Sequence, residues 1–165
     1  MKVIVTLTKE YFYQHRKAGQ PTGFAESVKN GSKIHTCRDN YDYWAAKIEA
    51  LQKSGGNLCI REWSGKPYKD KQVTILEVPA ETAAVQPLYL HQTPAGYMAY
   101  VETDGGTKKR VGIEQLAAND GFTDAADFTD FFKPLFKPCE NVIKLAIIHF
   151  TPFRYGSGTE SQGQE

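Results

Sequence analysis

The chain is poor in cysteine, lacks long apolar runs and has no dominant charge. Cys37, Cys59 and Cys139 are its only cysteines, and no C-x-x-C pair occurs, which argues against a zinc ribbon or a redox motif. Cys37 and Cys59 lie in strand-like runs, where a free thiol behaves as a small buried hydrophobe. His35 and Cys37 fall on one strand face, but no two further metal ligands stand out, so no metal and no cofactor are expected. No stretch of about 18 apolar residues is present, so no membrane helix is expected. Residues 1–8 alternate apolar and polar groups without a basic leader, which does not read as a signal peptide, and a cytoplasmic location is the expectation. A Gly-Lys-Ser/Thr loop is also missing, because Gly156-Ser157-Gly158-Thr159 is followed by no such pair.

The formal net charge is only +1, which excludes a protein built for strong non-specific DNA binding. That balance hides an asymmetry: residues 1–75 carry 13 basic and 7 acidic groups, while residues 76–165 carry 7 and 12. A small anionic ligand or a short RNA contact suits the basic half better than wrapping of duplex.

With 165 residues the chain is long enough for one domain with a sizeable core. Residues 2–8 read as a strand by alternation. Residues 11–22 read as a loop rich in aromatic and basic groups. Phe24 and Val28 mark a short helix that Asn30-Gly31 stops, and a strand follows over 34–38. Tyr41, Trp44, Ile48 and Leu51 form one stripe of a helix over 40–53, ended by Gly55-Gly56. Strands are expected over 58–63 and 72–78, with a turn at 64–68 between them. Residues 97–102 and 109–113 flank Asp104-Gly105-Gly106 as a hairpin. Thr123 reads as the N-cap of a helix that buries Phe128, Phe131, Phe132 and Leu135. Residues 142–150 are nearly all apolar and read as a central strand. Residues 156–165 contain no apolar side chain and are expected to be disordered. Many short strands with few helices indicate an α+β fold.

The chemistry-bearing groups concentrate in Gly31-Ser32-Lys33-Ile34-His35-Thr36-Cys37-Arg38. Gly31 permits a turn, Lys33 stands at the strand entrance, and Thr36 and Arg38 share one strand face. An ammonium, a hydroxyl and a guanidinium fork in a small volume suit a phosphate or a carbonyl-bearing base. Read without any family pattern, the same residues also fit a solvated Lys33, a strand-forming Thr36 and an Arg38 paired with Asp39 or Asp42. A second stretch, from Arg61 through Trp63, Lys66 and Tyr68 to Lys69, interleaves aromatic and basic groups, as base stacking and phosphate contact require. Lys108-Lys109-Arg110 reads as a solvated basic face beside a turn, and His149 as a core histidine.

The octapeptide follows the pattern G-x-K-x-x-T-x-R and resembles the signature of the ASCH family in the PUA-like superfamily. Ala118-Asn119-Asp120-Gly121-Phe122, before the Phe-rich helix, is similar to a second family feature. The resemblance implies a small β-barrel with peripheral helices over residues 1–153 and a tail over 154–165. It carries two functional precedents. One is binding of RNA or a nucleotide-type ligand at the motif, with Arg38 as a contact; Arg61, Trp63, Lys66 and Tyr68 are added as contacts by their own aromatic and basic pattern, which lies outside the family signature. The other is an amidohydrolase acting on an N4-acylated cytidine, with Lys33, Thr36 and Asp120 as the catalytic set. Asp120 stands where those hydrolases use Glu, one methylene longer, and Glu114 is a nearby substitute. A monomer or weak dimer is expected, with no membrane partner.

Overall fold

In a computed structural model that describes residues 1–156, alternation places the first strand as expected: in β1 (Lys2–Leu7), Val3, Val5 and Leu7 are buried while Lys2 and Ile4 face outward. Then come α1 (Phe24–Lys29), β2 (His35–Arg38), α2 (Tyr41–Ser54), β3 (Asn57–Trp63) and β4 (Gln72–Pro79). The second half holds β5 (Ala84–Thr93), β6 (Gly96–Glu102), β7 (Lys108–Val111), α3 (Ile113–Asn119), α4 (Ala125–Phe132) and β8 (Val142–His149). No helix among the described residues is long and apolar enough to cross a membrane.

The fold is α+β. Its strands form two sheets, ordered β1-β3-β4 and β2-β8-β5-β6-β7, and no closed ring of strands occurs among the described residues. β1 and β2 are both edge strands. Across the gap between them, the Arg38 guanidinium donates a hydrogen bond to the Thr6 carbonyl. A side chain therefore stands where a barrel would need a backbone ladder.

The near-continuous apolar run of β8 fits its place between two strands, paired with β2 on one side and β5 on the other. Leu88, Leu90, Val101, Leu145 and Ile147 are buried together with Leu116 of α3 and Phe128 and Phe132 of α4.

Four readings need correction. The ten-residue strand β5 was not expected. It contains Pro87, a residue that argues against a strand interior, but the ladder to β6 ends at Leu88, so a missing N–H there costs little. β7 stops at Val111 and the chain becomes helical at Ile113, because α3 buries Leu116 and Ala117. The cap of α4 is Asp124 rather than Thr123; its carboxylate accepts from the Asp127 N–H at 2.8 Å. The packed body also runs past residue 153, since Tyr155 is only 1% exposed. Residues 157–165, most of the expected tail, lie outside the described residues.

Candidate functional site

The octapeptide and the end of α3 are stitched together by the backbone. The Lys33 N–H donates to the Ser27 carbonyl at the end of α1, and the next N–H, of Ile34, donates to the Asn119 carbonyl, each at 2.9 Å. This brings Asp120 over the strand entrance. The buried Lys33 ammonium donates to Asp120 Oδ1 at 2.6 Å and to the Asp120 carbonyl at 2.5 Å. It also lies 4.4 Å from the centroid of the Phe24 ring. Asp120 Oδ2 accepts from the Cys37 N–H at 3.3 Å, so one carboxylate holds both ends of the motif strand.

Burial lowers the Lys33 pKa and raises that of Asp120. Their mutual attraction opposes both shifts, and the Arg38 cation adds to the lowering of Lys33. Burial also pushes the Cys37 thiol well up, so it is no nucleophile at neutral pH.

Gly121 makes room for this pair. Its φ is +86°, and a Cβ there would sit 2.9 Å from Lys33 Cδ. Gly121→Ala is expected to cost about 1–2 kcal/mol from the left-handed backbone alone. Displacement of Lys33 adds to that cost, and urea unfolding measures the sum. An unchanged midpoint would contradict the close approach.

His35 stands behind the pair, with Nε2 at 2.8 Å from the Tyr155 hydroxyl, which accepts from Asn119 Nδ2 at 2.9 Å. The possible ligand atoms of His35, Cys37 and Asp120 lie within 4.8 Å of one another. The set does not fit a metal well. Lys33 already supplies the countercharge to Asp120, and a divalent ion would face both Lys33 and Arg38.

Two depressions meet at Arg38. The smaller, about 10 Å³, is lined by Lys33, Thr36, Cys37, Arg38, Asp120 and Thr8 among others, and has room for one water. The larger is a cleft of about 950 Å³ whose walls include Phe12, Trp44, Trp63, Tyr68 and Lys66. Thr8 and Arg38 line both. The cleft floor is the outer face of the three-stranded sheet, where Ile4 and Thr6 project. Arg38 Nε is buried without a partner among the described residues. Tyr68 sits in the left-handed region at φ +64°, and its ring lies 5.1 Å from that of Trp63.

The expected site residues thus divide into two adjoining groups. Lys33, Thr36 and Asp120 surround the small pocket. Trp63, Lys66 and Tyr68 line the cleft, and Arg38 joins the two. Arg61 is paired in register with Thr6 and shares the sheet face with Trp63, but it is not a lining residue. Glu114 is exposed in the first turn of α3 and takes no part. Arg38 pairs with neither Asp39 nor Asp42, since its guanidinium reaches Thr6 instead.

Sequence reasoning missed two walls, Trp44 and Phe12. By spacing Trp44 falls on the apolar stripe of α2, yet it is only half-buried. Phe12 belongs to the aromatic and basic loop, the one signal that pointed toward it.

No family model, no curated protein and no solved structure matches this chain.

Proposed function

We propose that the cleft binds a nucleotide-type ligand, free or as part of a short RNA, and that the chain is an ASCH-like domain of the PUA-like type. One observation carries the reading. Aromatic side chains, Trp44, Trp63 and Tyr68 among them, and the unsaturated Arg38 guanidinium line one cleft beside a buried polar pocket. The rings offer stacking surface to a base, and Arg38 offers donors to a phosphate or a base carbonyl.

The test is calorimetric titration with ribonucleoside monophosphates. Trp63→Ala is expected to weaken binding about 5–150-fold, the range for loss of one stacked base. Arg38→Gln is expected to weaken nucleotides more than the matching nucleosides. Absence of binding at millimolar ligand, or full affinity in the Trp63 variant, would refute the reading.

The amidohydrolase is the second reading. It is favoured by a lysine of lowered pKa sharing a pocket with Thr36. It ranks below binding because two Lys33 donors are committed to Asp120. Moreover, no hydrogen bond joins Lys33 to the Thr36 hydroxyl among the described residues. Turnover of N4-acylated cytidine by wild type, lost in Thr36→Val at unchanged stability, would reverse the ranking.

A further inference from the structure

The outer face of the five-stranded sheet carries a second interleaved set of rings and cations, away from the cleft walls. Register puts Lys144 of β8 opposite Tyr89 of β5, Tyr89 opposite Tyr100 of β6, and Tyr100 opposite Arg110 of β7. Cross-strand partners project to one side, so these four side chains form a row across four neighbouring strands. At the usual strand spacing the row is about 14 Å long.

Alternation adds His91 on β5, and Glu102 and Lys108 on β6 and β7, to the same face. The His91 and Tyr100 rings meet edge to face at 5.1 Å. The Lys108 ammonium lies 3.9 Å from the centroid of Tyr89, and the Lys144 ammonium lies 4.5 Å from that of Tyr41 on α2. Farther along β8, Ala146 and Ile148 project to this face as well, but they are buried where α2 packs on β8 and β5. The open part of the face is therefore the part that bears Lys108, Arg110 and Lys144, all exposed, with Tyr89, His91 and Tyr100 half-buried among them. Among the described residues of these strands Glu102 is the one carboxylate on this face, and it accepts a hydrogen bond from the Tyr89 hydroxyl at 3.0 Å.

We infer that this sheet face is a binding platform for single-stranded nucleic acid. Three cations against one carboxylate give the face the sign that a phosphate backbone requires. Tyr100 and His91 offer ring surface to bases, and a stacked base needs no particular sequence, because every base has a π-face. Lys108 and Lys144 already rest on tyrosine rings, so each can swing to a phosphate while a base takes its place. A duplex hides its bases and keeps only the charge contact. The inference does not rest on the proposed cleft site, which is lined by different residues.

Fluorescence anisotropy with a labelled RNA strand of about eight nucleotides tests it. Arg110→Glu with Lys144→Glu is expected to weaken binding at least about tenfold, and Tyr100→Ser about fivefold or more. Lys29→Glu with Lys137→Glu, the same charge change on exposed residues elsewhere, is expected to leave affinity within about twofold. Duplex RNA of the same length should bind much more weakly.

The inference falls if the control pair loses as much as the platform pair, if Tyr100→Ser binds like wild type, or if duplex binds as tightly as the strand. Strand binding that disappears in Trp63→Ala and survives the platform changes overturns the platform and leaves the cleft reading standing. Strand binding lost only in the platform variants, with no mononucleotide bound, supports the platform and sinks the cleft.

Discussion

Replacing Lys33 with methionine is expected to destabilise the fold by about 3–5 kcal/mol, because Asp120 is then buried with an uncompensated charge. For a chain of this size that corresponds to a fall in melting temperature of about 6–20 °C. Asp120→Leu is expected to cost a similar amount by stranding the ammonium. The double variant Lys33→Met/Asp120→Leu should recover most of the loss, since it removes both desolvated charges and keeps the volume. Thermal or urea unfolding of all four proteins gives the coupling directly. Costs that simply add in the double variant would show that the two groups are not a pair.

The same variants bear on function. Asp120 anchors the Cys37 N–H, so its loss loosens the strand that presents Thr36 and Arg38. The double variant should therefore regain stability without regaining full affinity for a nucleotide. Affinity restored in step with stability would mean that the pair is only a structural staple.

Acid should unfold the protein early. His35 and His149 are buried with their rings 5.5 Å apart. Burial holds the His149 pKa down at about 3, with the Arg154 cation adding to the effect. Burial, then His149 and Lys33, hold His35 well below its ordinary value. Each histidine is neutral in the fold and takes up a proton near pH 6.5 once unfolded. Below that pH the unfolded state binds more protons, so stability falls with pH, by up to about 1.4 kcal/mol per unit for His149 and in the same direction for His35. By pH 5 His149 alone removes about 2 kcal/mol, its loss continues toward pH 3, and His35 adds in the same direction.

Urea unfolding at pH 7 and pH 5 measures the difference. Asp127 adds in the same direction only below about pH 4, because burial alone would raise its pKa but Lys17 and Arg16 hold it low. Asp120, raised by burial, acts in the opposite sense. His149→Gln retains a group able to meet Gln86 and should flatten the slope above pH 5. Equal stability at the two pH values would contradict the buried neutral pair.

Much of this architecture is written locally. Alternation in β1, the 24/28 spacing of α1, the stripe of α2 and the apolar run of β8 each follow from a pattern within a few residues. The octapeptide was legible for the same reason, since its Gly, Lys, Thr and Arg carry chemistry and strand periodicity together. Asp120 as the partner of Lys33 came from the family pattern alone, because nothing local links residues 87 positions apart.

Other features depend on long-range packing. Pro87 argues locally against a strand, and only its place at the end of the β6 ladder makes one possible. Trp44 fits the core stripe by spacing, and only the gap between two sheet edges turns it toward a cleft. Tyr155 directly precedes a polar, glycine-containing stretch toward the end of the chain, yet His35 and Asn119 give its hydroxyl a buried place. Periodicity and side-chain type are local properties, so most elements and the groups able to do chemistry are legible along the chain, β5 and α3 excepted. Which of them meet is set by packing, because burial and register depend on strands that are distant in the chain.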